Sequence, residues 1–248
     1  MKRKLAVITG GASGIGAAMV QTFVDNGYAV VIGDFNDELG TAIAKKFGIS
    51  HFKTDVRSSE SCEELIAKAL ATHETETIGV LIANVGKNEG MSTKETRVHE
   101  WRNSIELNLS SIFYTCKPAL SKMSENGRII LTSSLVGIVG QPNNSAYAAA
   151  KGGIISYAKS LALEMASRGV TVNAICPHAV DTPLLYEWAD AQPEGRTITL
   201  ERLRTSLPIG RFIKPEEVAA AALFLASPLA GSITGTTLLI DGGASLGC

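Results

Sequence analysis

LAVITGGASGIG, residues 5–16, sets five residues suited to a buried strand directly against a cluster of glycines. Leu5 to Thr9 are apolar or β-branched without polar alternation, the pattern of a strand covered on both faces. Gly10, Gly14 and Gly16 follow as Gly-x-x-x-Gly-x-Gly. An amphipathic stretch then predicts a helix over 14–26, with Gly27 as its stop. Glycines permit a tight turn and a close approach of backbone amides to a ligand, and amides at a helix N-terminus suit a pyrophosphate. Three glycines alone are only a turn. Their position between a first strand and an amphipathic helix is what points to a dinucleotide.

The same rhythm runs through the 248 residues. Strands are expected at LAVIT (5–9), YAVVIG (28–33), HFKT (51–54), GVLIAN (79–84), RIILTS (128–133), VTVNAIC (170–176) and TTLLI (236–240). Helical patterns at 14–26, 36–47, 59–73, 97–122, 145–168 and 215–226 lie between them. Pro215, Glu216 and Glu217 mark the start of the last. Alternation of this kind predicts an α/β fold, a parallel sheet with helices on both faces. The stretch 177–214 breaks the rhythm, with Pro177, Pro183, Pro193 and Pro208, and reads as an irregular insert of the kind that covers a site, a lid at about 178–212. With no linker or repeat, residues 1–248 read as a single domain.

Composition narrows the function. A net charge of −1 provides no field for nucleic acid or an anionic membrane. The longest apolar run, VAAAALFLA at 218–226, is far short of a membrane span, and the basic start MKRK leads too soon into glycines for a signal peptide. The four cysteines, Cys62, Cys116, Cys176 and Cys248, lack metal spacing and read as thiols of a reducing compartment, so a cytoplasmic location and no bound metal are expected.

The second strand ends in Gly33-Asp34. An acid there can accept from both adenosine ribose hydroxyls and would repel a 2′-phosphate; it can equally be a solvated loop aspartate. Position 13 is Ser and position 35 is Phe, so no nearby Arg or Lys offers a phosphate clamp, and NAD is favoured over NADP. Asp55, after the third strand, can meet the adenine or simply cap the next helix.

SAYAAAKGG (145–153) places Tyr147 and Lys151 four apart, on one helix face. A free phenol, with a pKa near ~10, is a poor base at neutral pH. A nearby ammonium and a cationic nicotinamide favour the phenolate, which can exchange a proton with an alcohol or carbonyl oxygen. Alanines at 148–150 keep the helix surface low enough for a flat cofactor. A Tyr–Lys pair is common on ordinary helices, so the company matters. Ser133 and Ser134 end the preceding strand, on the sheet edge where the glycine turn also lies.

Taken in order, TGGASGIG, Asp34, ANVG (83–86), the serine pair and YAAAK resemble the short-chain dehydrogenase/reductase family, from about residue 4 to 243. The resemblance implies a Rossmann-type, doubly wound, seven-stranded parallel sheet in three α/β/α layers. It makes Tyr147 the acid/base, Lys151 the group that lowers its pKa and holds the nicotinamide ribose, and Ser134 the group that orients the substrate oxygen. Asn108 completes a tetrad through a kinked helix and a bound water. The dinucleotide would lie against Gly10, Ser13, Gly14, Ile15 and Gly16, then Asp34, Phe35, Asp55 and Val56. Beyond these come Asn84 and Gly86, then Pro177, Val180 and Thr182, the last near the carboxamide. Where the family has Gly after Pro177 this chain has His178, which is open to three readings: a substrate contact, an extra titrating group, or a ring turned to solvent.

The substrate pocket is expected from GKNEGMS (86–92), LVGIVGQPNN (135–144) and the lid, with Ser134, Gln141, Asn144, Tyr147 and His178 against the substrate. Arg196, Arg202 and Arg204 could meet an anion, though arginines facing out from a solvated helix is the plainer reading. The implied activity is NAD-dependent interconversion of a secondary alcohol and a ketone. A 3-oxoacyl-[acyl carrier protein] reductase using NADPH and a non-catalytic dinucleotide-binding protein are the alternatives. Family members are mostly homotetramers, so a homotetramer or homodimer is expected by analogy.

Overall fold

The computed structural model describes residues 3–247. Among these, seven strands form one sheet: β1 (Leu5–Thr9), β2 (Ala29–Asp34), β3 (Ser50–Lys53), β4 (Ile78–Ala83), β5 (Met123–Thr132), β6 (Thr171–Pro177) and β7 (Thr237–Ile240). Their spatial order is β3-β2-β1-β4-β5-β6-β7, and every pairing is parallel. The chain winds outward from β1 to β3, then reverses to β4 on the other side of β1. That reversal opens a crevice at the strand ends beside β1 and β4.

Side chains alternate across each strand, so both faces of the sheet are apolar. Leu5 and Val7 join one core with Ile112, Cys116 and Ile154. Ala6 and Ile8 join the opposite core with Met19, Val20, Phe23 and Val218. These residues lie on helices covering the two faces: α3 (Ser59–Thr72), α5 (Ser111–Leu120) and α7 (Ser145–Met165) on the first, α1 (Gly14–Asp25) and α10 (Pro215–Ala226) on the second. Burying each such large apolar side chain contributes about 1.5–3 kcal/mol. The fold is the expected doubly wound, Rossmann-type α/β/α arrangement.

Local chemistry explains where the helices begin. In α2 (Asp37–Phe47) the Asn36 side chain accepts from the Leu39 N–H, and Asp37 and Glu38 occupy the positive end. Pro215 opens α10, and the Glu217 carboxylate accepts from the Lys214 N–H at 2.8 Å.

Two expectations need correction. The helix expected over 97–122 is interrupted: α4 (Val98–Ile105) runs into a π-helical turn over Glu106–Ser110 before α5. The insert at 177–214 is less irregular than its prolines suggest, and holds α8 (Pro183–Asp190) and α9 (Gly195–Thr205). Pro183 sits at a helix start, where its missing N–H costs nothing, and Thr182 caps it. The segment after β5 adds a single turn, α6 (Val136–Val139). Cys62, Cys116 and Cys176 are buried free thiols; Cys248 lies outside the described residues. No helix of the described residues is long and apolar enough to cross a membrane.

Candidate active site

The C-terminal ends of β1 to β6 share one edge of the sheet, and a cleft of about 670 Å³ runs along it. The glycine turn forms its floor at β1. A β-carbon on Gly16 would stand 1.8 Å from the Gly10 carbonyl oxygen, so the turn closes only with glycine there. Asn84 ties the neighbouring strand ends together. Its N–H donates to Thr9 Oγ1, its Nδ2 donates to the Gly10 carbonyl at 3.4 Å, and its Oδ1 accepts from Thr132 Oγ1 at 3.0 Å.

At the end of β2, Asp34 Oδ2 accepts from the Ala12 N–H at 3.0 Å and Oδ1 from the Asn36 N–H at 2.9 Å. The carboxylate thus braces the glycine turn, and a carboxylate's remaining lone pairs leave room for further donors. Phe35 is exposed beside it. The expectation that no lysine lies near needs amendment: parallel pairing sets Lys53 opposite Asp34, with Nζ 5.9 Å from the Phe35 ring centre. Asp55 does not cap the next helix. Ser58 does, accepting from the Ser61 N–H, while Asp55 is held by Arg57 through Nε at 2.9 Å and Nη2 at 2.7 Å. That bond keeps the Asp55 carboxyl below its usual range. Arg57 also lines the cleft, a residue the strand-and-turn pattern did not single out.

Tyr147 and Lys151 project from the first turns of α7 toward the end of β5. Lys151 is 2% exposed, and its Nζ donates to the Thr132 carbonyl at 2.9 Å. Nζ lies 5.6 Å from the centre of the Tyr147 ring. Burial pushes the ammonium down to about 8. Burial also pushes the phenol up to about 12, against the downward pull of a hydrogen bond with the Ser134 side chain. Burial thus opposes ionisation of Tyr147.

The two serines separate by role. Ser133 Oγ donates to the Lys151 backbone carbonyl at 2.7 Å and ties β5 to α7, whereas Ser134 Oγ donates to the Pro177 carbonyl at 3.5 Å, accepts from the Val136 N–H at 3.3 Å and stands beside Tyr147. Asn108 lies in the π-helical turn, fully buried behind the cleft. Its Oδ1 accepts from the Lys87 N–H, and its Nδ2 donates to the Lys87 and Ser104 carbonyls. Gly86 lies between this side chain and Lys151. A β-carbon there would stand 2.7 Å from Lys151 Nζ and 2.9 Å from Asn108 Oδ1.

Gly10, Ser13, Gly14, Ile15, Val56 and Asn84 line the cleft, as do Gly86, Pro177, Val180 and Thr182. Gly16, Asn108 and Asn144 do not; Gly16 and Asn108 support it from behind. Asn144 is buried and donates to Gln141 Oε1 at 3.0 Å, so Gln141 alone of that pair faces the cleft. The Thr182 hydroxyl donates to the Val180 carbonyl at 3.3 Å while it caps α8. His178 forms part of the wall, half-buried, with burial holding its imidazole below the usual value against the pull of Asp241. Arg196, Arg202 and Arg204 do not line the cleft: each faces outward in an ion pair, with Asp190, Glu194 and Glu201 respectively. From α8, Leu184, Leu185 and Trp188 close the cleft's far wall.

Residues 10–245 match the family model described as enoyl-(acyl carrier protein) reductase. The chain is 38% identical over 247 residues to the cis-4-hydroxycyclohexanecarboxylate dehydrogenase of Sinomonas cyclohexanicum, covering 97% of this chain and 96% of the relative. A 3-ketoacyl-(acyl-carrier-protein) reductase from Brucella melitensis, solved with NADH, superimposes with a TM-score of 0.88 at 29% identity, covering 98% of each chain. A variant of the actinorhodin polyketide ketoreductase, solved with NADPH, gives 0.91 at 29% identity, covering 98% of this chain and 97% of the other. With both sequence and fold matched along nearly the whole length, the chain belongs to the short-chain dehydrogenase/reductase family.

Proposed function

We propose that this protein is an NAD-dependent oxidoreductase that interconverts a secondary alcohol and a ketone, with Tyr147 as the acid/base. One observation carries this reading: the Tyr147 phenol, the Ser134 hydroxyl and the Lys151 ammonium converge in the cleft that also holds the glycine turn. The turn fits a dinucleotide, since a side chain at Gly16 would collide with the turn itself. Gly10, Ser13, Gly14 and Ile15 would hold the pyrophosphate, Asp34 the adenosine ribose, and Phe35, Asp55 and Val56 the adenine end. Asn84, Gly86, Pro177, Val180 and Thr182 would flank the nicotinamide, which when bound supplies or accepts the hydride.

Ser134 orients the substrate oxygen. In reduction, Tyr147 Oη gives its proton to that oxygen; in oxidation it takes the proton back. Because burial holds the phenol up to about 12, the protein alone is poised for the proton-donating direction. Oxidation requires added positive charge nearby, from Lys151 and the oxidised ring. Lys151 also reaches the nicotinamide ribose, and Asn108 keeps the wall beside it in place. Gln141 and His178 face the substrate, and Asn144 positions Gln141. Orientation and charge set in advance account for most of the acceleration.

Asp34 favours NAD, since its carboxylate would repel a 2′-phosphate. Lys53 beside Phe35 is the one observation favouring the second reading, a 3-oxoacyl-[acyl carrier protein] reductase using NADPH. The single domain 1–248, the lid at about 178–212, a cytoplasmic location and a homotetramer or homodimer belong to the same proposal, resting on the family's habits and on the two helices of the lid. The test is Tyr147→Phe, with NADH binding followed by fluorescence and turnover by nicotinamide absorbance. Binding should persist while turnover falls by at least about a hundredfold. Comparable turnover in the variant would show that another group moves the proton.

A further inference from the structure

The cleft is electrically lopsided. The carboxylates that line it, Asp34 and Asp55, both stand at the adenosine end, and both are tied to protein donors. In the cleft itself, among the described residues, no carboxylate lines the wall beside Ser134 and Tyr147. Glu89 and Glu100 line a separate small pocket that also touches Tyr147, with Glu100 paired to Arg97.

Positive charge is present at that same end. Lys87 lines the cleft, and its ammonium has no hydrogen-bond or ion-pair partner among the described residues. Its side chain is exposed and free to swing, but its backbone is not: Asn108 holds both the N–H and the carbonyl of residue 87. The lid arginines are committed to acids outside the cleft, so they do not compete for the role. The Trp188 ring lines the cleft, but its Nε1 is buried against the backbone at Gly90 and out of a ligand's reach, which leaves Lys87 to act alone.

We infer that the substrate is an anionic hydroxy or oxo acid whose free carboxylate lies a few bonds from the reacting carbon, bound by the Lys87 ammonium. This rests on the oxidoreductase reading above and narrows its substrate class. The reacting oxygen sits at Ser134 and Tyr147, and the carboxylate points to the loop after β4. A neutral thioester on a carrier protein has no anion at that point to bind.

The test compares 3-oxobutyrate and 4-oxocyclohexanecarboxylate with their methyl esters as substrates of the wild type and Lys87→Met. In the wild type, kcat/KM for each acid should exceed that for its ester at least tenfold, with the preference shrinking as salt is raised. Lys87→Met should lower the acid-to-ester ratio at least tenfold, chiefly through KM. Thermal unfolding and NADH binding establish that the variant folds. Esters reduced as well as acids, or an unchanged ratio in Lys87→Met, overturn the inference and leave the oxidoreductase reading standing. Failure to reduce any of the four ketones with NADH or NADPH counts against both.

Discussion

Asn108 holds Lys87 at both of its backbone polar groups: Oδ1 accepts from the N–H at 2.8 Å, and Nδ2 donates to the carbonyl at 3.0 Å. The asparagine comes from the π-helical turn between α4 and α5, the lysine from the loop after β4. The two bonds fix the loop that forms one wall of the cleft, so a residue with no access to the cleft determines its shape.

Replacing Asn108 with Ala strips partners from a backbone N–H and a carbonyl together. The expected loss is about 2–4 kcal/mol, since unsatisfied polar groups cost more than the bonds themselves contribute. For a chain of this size that is a fall in Tm of roughly 4–16 °C. Thermal unfolding at pH 7 checks it; a fall below about 2 °C would mean that water satisfies the loop without help.

Lys151→Met separates stability from function. With its folded pKa pushed down to about 8, Lys151 binds fewer protons in the folded than in the unfolded chain between pH 8 and its ordinary value near ~10.4. Stability from this group therefore rises with pH across that window, and the cost of burying the charge is fully present below it. The variant should be at least as stable as the wild type at pH 7, with its advantage shrinking from pH 8 to 10, and should lose turnover. Unfolding curves at pH 7, 8.5 and 10 decide the matter. A variant less stable at pH 7 by the same margin throughout would show that the ammonium is stabilised where it lies.

The raised Tyr147 pKa predicts opposite pH behaviour for the two directions. Reduction uses the protonated phenol and should be flat between about pH 6 and 8. Oxidation uses the phenolate and should rise up to tenfold per pH unit below the phenol's pKa in the loaded enzyme. Rates in both directions with one alcohol–ketone pair provide the check. An oxidation rate independent of pH over that range would place the titrating group elsewhere.

Asp34→Ala should act twice. The Ala12 and Asn36 amides lose a charged acceptor, costing about 1–3 kcal/mol between them. NADH binding should weaken about tenfold or more, and the preference over NADPH should narrow as the repulsion disappears and Lys53 remains. Fluorescence titrations with both dinucleotides measure this. A wild type that binds NADPH more tightly at the outset would reverse the cofactor assignment.

The alternation of strands and helices was legible because fully covered strands read as unbroken apolar runs, and the strands lie about where those runs predict them, except that β5 begins earlier, at Met123, across a register shift. Prolines misled in one stretch. At 177–214 they read as breakers, yet Pro183 begins a helix, because a breaker inside a helix and a starter at its first turn are the same residue seen out of context. The π-helical turn at 106–110 was invisible to periodicity, since one extra residue in a turn barely disturbs an apolar pattern. Arg57 and Lys53 were missed near the adenine end for another reason. Their importance comes from strand register and ion pairing across space, not from neighbours in the chain.

What the chain's order of residues determined by itself was the architecture and, through its motifs, the family to which the chain belongs. Local geometry suffices there: a glycine turn after a strand, and a phenol and an ammonium one helical turn apart. What only the tertiary structure decided was the state of those groups and the company they keep. Burial, which depends on the whole fold, moves Tyr147 up and Lys151 down. Packing from distant segments ties Ser133 to the Lys151 backbone, sets Ser134 beside the phenol, turns Arg196, Arg202 and Arg204 outward, and leaves Lys87 in the cleft without a charge partner.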